Sequence, residues 1–181
     1  SSMRRATALK PRSWRGPWRD RHTRLTTTAR GVMLPSDFKD MLQAFADAKV
    51  EYLLVGGYAV AFHGEPRATK DIDLWIGGTP ENIERVVQSL VAFAAPAHIV
   101  RALQTQTDDE FVFMGVPPLR IDFLRSIPGI TFTEAYANRI ETRWHGVPVV
   151  VINRQDLIAA KKAAGRPRDL LDAEALSKDV R

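Results

Sequence analysis

Asp71-Ile72-Asp73-Leu74-Trp75-Ile76 puts two acids one residue apart at the head of an apolar run. Side chains at i and i+2 of a strand share a face, so a strand here presents both carboxylates together. Ile72, Leu74 and Ile76 then turn to the core. Two neighbouring carboxylates repel unless a cation joins them. An all-oxygen donor set suits Mg²⁺, which keeps waters and takes substrate phosphates as its remaining ligands. Shortly upstream the chain reads Tyr52-Leu53-Leu54-Val55-Gly56-Gly57. A Gly-Gly turn lets bare backbone approach a phosphate. Together the two stretches point to metal-assisted phosphoryl or nucleotidyl transfer.

A third acid lies in Arg120-Ile121-Asp122-Phe123-Leu124. Ile121 and Phe123 point one way, so Asp122 points the other, with Arg120 and Leu124. If this strand pairs beside 71–76, three carboxylates converge. Asp71 and Asp73 then hold metal, and Asp122 serves a second metal or takes a proton from an attacking hydroxyl. Haloacid-dehalogenase-type phosphatases and many glycosyltransferases carry Asp-x-Asp after an apolar strand, at its C-terminal tip. Here the apolar run follows the acids, which argues against both. The competing structural reading is a solvated strand edge. Arg67, Thr69 and Lys70 precede the acids; they either meet phosphates or form a solvated loop. His63, with no histidine near it in sequence, reads as structural.

Around these stretches the chain alternates helical and strand patterns. Ser36 reads as the N-cap of an amphipathic helix over 36–49. A strand over 51–55 runs into Gly-Gly and a short helix from Tyr58 to His63. Thr79 caps a helix with Pro80 at its first position, and Ile83, Val86, Val87, Leu90 and Phe93 form its apolar face. Residues 99–103 fit either class. Strands follow at 110–114 and 119–124, a helix at 131–140, and a hairpin of 141–144 with 147–152 around His145-Gly146. Asn153 caps a helix that ends at Gly165, and Pro167 opens a last one to about Ser177. No continuous βαβ series is present, so the fold class is α+β, a mixed sheet flanked by helices with short helices at the C-terminal end.

The 181 residues fit one domain; 45% are hydrophobic and 26% charged, which is ordinary for a globular protein. No apolar stretch approaches the ~20 residues that span a bilayer, and membrane association is not expected. There is no cysteine, which excludes disulfides and thiolate metal sites, and a reducing cytoplasm is the expected location. The net charge of +5 is unevenly placed. Residues 1–30 hold eight Arg and one Lys against a single acid, Asp20, a net of +8, which leaves −3 for residues 31–181. Residues 1–32 are therefore expected to be a basic, flexible extension with Met33 as a candidate start, and 33–181 the functional domain. An arm with Trp14 and Trp18 among its arginines also suits nucleic acid or an anionic surface, and it has the composition of a targeting peptide.

Val55-Gly56-Gly57-Tyr58-Ala59-Val60-Ala61-Phe62-His63-Gly64 followed by Pro66-Arg67-Ala68-Thr69-Lys70-Asp71-Ile72-Asp73-Leu74 resembles the DNA polymerase β-like nucleotidyltransferases. It is most similar to the small bacterial enzymes grouped near the AbiEii and MenT toxins, over roughly residues 36–176. The resemblance implies a polymerase β palm-like fold, with Gly56 and Gly57 on the nucleotide phosphates, Asp71 and Asp73 on Mg²⁺, and Asp122 as the third carboxylate. Gly57 stands where many relatives have Ser, so one hydroxyl contact to phosphate is missing. Late in the chain the resemblance makes Lys161 a triphosphate ligand, with Arg168, Asp169 and Asp172 ordering the site; a charged helix–turn–helix surface is the alternative. The implied activity is transfer of NMP from an NTP, in ATP-binding style, to an acceptor. That acceptor is tRNA, a small hydroxyl-bearing molecule or a protein side chain. The implied setting is a toxin–antitoxin pair with a cognate partner protein. A non-catalytic nucleotide-binding or antitoxin-like module is the rival reading. Oligomeric state is left open.

Overall fold

The computed structural model describes residues 34–64, 68–116 and 118–178. The basic extension, Arg67 and Pro117 lie outside the described residues. The elements are α1 (Ser36–Asp47), β1 (Tyr52–Val55), α2 (Gly56–Phe62), β2 (Asp71–Ile76), α3 (Pro80–Ala92), α4 (Ala97–Thr105), β3 (Phe111–Val116), β4 (Leu119–Leu124), α5 (Phe132–Ala137), β5 (Ile140–Trp144), β6 (Val147–Val151), α6 (Arg154–Ala164) and α7 (Pro167–Lys178). The strands form one mixed sheet in the order β3-β4-β2-β1-β6-β5. The expected α+β class and mixed sheet are what the chain adopts. β2 runs antiparallel to β1 and parallel to β4, and β6 runs parallel to β1.

Register assigns the two faces. Tyr52, Leu54, Ile72, Leu74, Ile76, Ile121 and Phe123 share one face and are all buried. α1 covers them, with Phe45 5.6 Å from the Tyr52 ring and 6.3 Å from that of Phe123. The opposite face carries Val55, Asp71, Asp73 and Trp75 of the first two strands with Arg120, Asp122 and Leu124 of β4. Trp75 is buried there against Phe132 of α5, ring centres 5.3 Å apart, and its indole N–H donates to the Arg125 carbonyl. One strand of alternating pattern thus feeds an apolar core on one side and a charged site on the other.

Several local expectations shift. Pro35, not Ser36, holds the N-cap position of α1; its carbonyl accepts the Lys39 N–H, and Ser36 is already helical. α2 starts at Gly56 instead of Tyr58. Residues 97–105 are helical, with Ile99 and Leu103 one turn apart and buried, although β-branched Ile99-Val100 blurs the signal. α5 is only Phe132–Ala137: a Thr131–Glu134 capping box opens it, and the chain enters β5 at Ile140. β3 runs on to Val116, which shortens the turn expected at 115–118.

In α3 the buried set includes a residue outside the expected apolar stripe, Asn82. Its Oδ1 accepts the Glu51 N–H at 2.7 Å, and its Nδ2 donates to the carbonyls of Glu51 at 2.8 Å and Gly77 at 2.9 Å. The amide clasps the start of β1 to the end of β2. Each bond contributes about 1 kcal/mol, and an orphaned donor or acceptor costs more. Asn82→Ala should destabilise the fold by about 2–3 kcal/mol in urea denaturation. Asn82→Leu should fare no better, since the Glu51 and Gly77 backbone groups stay unpaired.

Candidate active site

β2 and β4 place the acids. Asp73 stands directly beside Asp122, and Asp71 beside Arg120, in the parallel ladder. Asp71, Asp73 and Asp122 therefore lie on one face, as the alternation along β4 implies. They line a cavity of about 620 Å³ together with Gly56, Gly57, Thr69, Lys70, Arg120, Lys161, Arg166, Arg168 and Asp169. Gly56, Gly57, Thr69, Lys70, Asp71, Asp73, Asp122, Lys161, Arg168 and Asp169, all singled out in sequence, meet at this cavity, whereas Asp172 does not line it. Thr69 donates its hydroxyl to the Asp71 carbonyl at 3.2 Å, which orders the approach to β2.

The Gly-Gly turn is built around Gly56. Its φ is +64°, in the left-handed region that favours glycine. A Cβ there would sit 2.0 Å from Asp73 Oδ2, so the turn is seated on that carboxylate. Gly57 follows inside the first turn of α2 and is buried. The special backbone angle thus belongs to Gly56, not Gly57.

The carboxylates differ in their surroundings. Burial pushes the Asp73 carboxyl up to about 7, and the Asp122 and Asp71 charges push the same way. Burial also raises Asp122, against the opposing hydrogen bond and charge of Arg120. Arg120 is the residue that sequence reasoning placed on the face but gave no task. Its Nε lies 2.6 Å from Asp122 Oδ1, and its Nη2 lies 2.8 Å from Asp122 Oδ2 and 3.3 Å from Asp71 Oδ2. Its guanidinium rests over Phe113 of β3, 5.2 Å from the ring centre. The signal was present in Arg-x-Asp at i and i+2, but the pairing with Asp71 needs the β2–β4 register. Among the described residues, no group of three or more His, Cys, Asp or Glu is gathered so as to hold a metal ion. Two of the three acids are instead drawn to one guanidinium.

Lys161, on α6, is buried. Its ammonium contacts Asp169 at 2.9 Å and Asp172 at 2.7 Å on α7. Burial would raise the Asp169 carboxyl, but hydrogen bonds from Lys161 and Arg166 outweigh it and hold it below the ordinary range. The lysine thus locks α6 to α7 and sets the wall of the cavity opposite β2. His63 lies elsewhere: its Nε2 meets the Ile152 carbonyl at 2.8 Å, joining the end of α2 to the exit of β6.

Paired acids at the head of a strand thus open onto one cavity, with Gly56 seated on Asp73. Residues 34–180 match the family described as nucleotidyltransferase of unknown function (DUF6036), and the chain belongs to that family. No curated protein matches the chain in sequence. Among the described residues no helix is long and apolar enough to cross a membrane.

Two expectations follow. Because Asp73 is harder to ionise in the folded state than in the unfolded chain, the native state holds the extra proton between about pH 4 and 7. Stability then falls as pH rises through that window. With chelator present, the melting temperature should drop from pH 5 to pH 8, and Asp73→Asn should flatten the decline. Lys161→Met removes the ammonium that Asp169 and Asp172 share, with Arg166 still paired to Asp169, and should cost about 3 kcal/mol, read from chemical denaturation. The loss should be largely recovered when Asp169 and Asp172 are both made Asn.

Proposed function

We propose that this chain is a Mg²⁺-dependent nucleotidyltransferase that moves NMP from an NTP to a hydroxyl acceptor and releases pyrophosphate. The observation that carries the reading is the side-by-side placement of Asp73 and Asp122 facing one cavity, with Gly56 seated on Asp73. The donor set fits the ion. It is all carboxylate oxygen, and Mg²⁺ needs only one or two carboxylates beside substrate phosphates. Asp71 and Asp73 would hold it. Bound there, Mg²⁺ would supply Lewis-acid neutralisation of the phosphate charge.

The chain's own groups account for the rest. Gly56 and Gly57 line the cavity at the close of β1 and would offer backbone N–H groups to phosphate, and a side chain at Gly56 would strike the Asp73 carboxylate. Asp122, directly beside Asp73 and paired with Arg120, keeps the third carboxylate at the cavity. Lys70, Arg166 and Arg168 line the cavity and draw in a polyanion. That cationic wall, together with the resemblance to AbiEii and MenT enzymes, supports tRNA as acceptor and a toxin's role beside a cognate partner, in the cytoplasm.

The test is incubation with each α-labelled NTP, Mg²⁺ and total cellular RNA. Label should enter RNA with release of pyrophosphate, and chelator should stop it. Asp73→Ala should lose about a hundredfold or more, equivalent to about 2.7 kcal/mol of barrier, while remaining folded by circular dichroism. Wild-type transfer by a folded Asp73→Ala protein would sink the assignment. Nucleotide binding without transfer to any RNA, small-molecule or protein fraction would favour a non-catalytic module.

A further inference from the structure

We infer that Arg120 stands in for a second metal ion, so that the site takes a single divalent cation on Asp71 and Asp73 while Asp122 is committed to the guanidinium. The inference rests on the metal and nucleotide reading of this site. In two-metal phosphoryl-transfer sites a pair of cations about 3.5–4 Å apart shares the carboxylates between them. Here one of those cationic positions is filled by the chain itself. Arg120 Nη2 donates to Asp122 Oδ2 at 2.8 Å and reaches Asp71 at 3.3 Å, and its Nε lies in ion-pair contact with Asp122 Oδ1 at 2.6 Å without hydrogen-bond geometry.

Three features make the guanidinium a resident of the site and not a passing contact. It projects from β4 on the same face as Asp122, two residues away, and its backbone is paired with Asp71, so the register holds all three together. It hydrogen-bonds Asp122 through Nη2 and carries its charge at every working pH. The Phe113 ring, whose residue is paired with Asp122 across β3, lies beneath it at 5.2 Å and braces it from the side away from β2. A second ion on Asp122 would have to displace an arginine held by two acids and a ring.

Mn²⁺ with a non-hydrolysable α,β-methylene NTP tests this on the full chain, by counting bound metal after equilibrium dialysis and by electron paramagnetic resonance. Nucleotide retention is measured in the same samples. The wild type should hold one Mn²⁺ per chain with the spectrum of an isolated ion. Arg120→Gln should hold two, with the broadening of a close spin-coupled pair. Arg120→Lys, which restores a positive charge, should return to one. Two coupled ions in the wild type, or one in a folded Arg120→Gln protein, would overturn the inference while leaving the metal-dependent nucleotide site standing. No bound Mn²⁺ and no retained nucleotide in the wild type would defeat both. Should Arg120→Gln not fold, the wild-type count and Arg120→Lys decide: two ions in either overturns the inference, and one ion in both supports it.

Discussion

Like charges placed directly opposite one another on neighbouring strands destabilise a sheet, and the Asp73–Asp122 pair of β2 and β4 is such a case. The surrounding structure answers that repulsion. Arg120 takes up Asp122 and part of Asp71, while Asp73 is left to partial protonation. The far face of the same two strands buries Ile72, Leu74, Ile121 and Phe123 under α1, which fixes the register that keeps the acids together. A one-residue slip would send the acids into that core and the apolar side chains into the cavity. The electrostatic cost of the site and the hydrophobic gain of the core are thus two sides of one strand pairing.

The same division recurs on the opposite wall. α6 and α7 meet through a buried ammonium shared by two carboxylates. Such a cluster adds little net stability compared with an apolar contact of the same size, but it is intolerant of losing one member. It holds the pitch of the two helices, and with it the positions of Arg166 and Arg168 at the cavity. Rigid β-structure therefore presents the acids, and a specific polar lock presents the cations.

Much of the fold was readable in the sequence. The strand over 71–76, the hairpin around His145-Gly146 and the Gly165 end of α6, where φ is +67°, all follow from local pattern and turn chemistry. Alternation gave the parity of Asp71 with Asp73 and of Asp122 with Arg120, and the β2–β4 pairing brings the three acids to one face. Other features needed partners distant in sequence. Asn82 sits among apolar helix positions, and its partners Glu51 and Gly77 flank two strands. Arg120 has the parity of Asp122, but only the register with Asp71 makes it a bridge. Gly56 and Gly57 look alike on paper; the seat on Asp73 distinguishes them.

The parallel pairing of β1 with β6 joins residues near 54 to residues near 151, and the cavity wall comes later still, from α6 and α7. Contacts of such long range are slow to form, because loop closure must precede them. A chain emerging from the ribosome would display Asp71, Asp73 and Asp122 well before Lys161 and Arg166 exist to face them. The cavity is therefore closed only after α6 and α7 emerge, and until then a nascent chain carries the acids without the Lys161 and Arg166 wall.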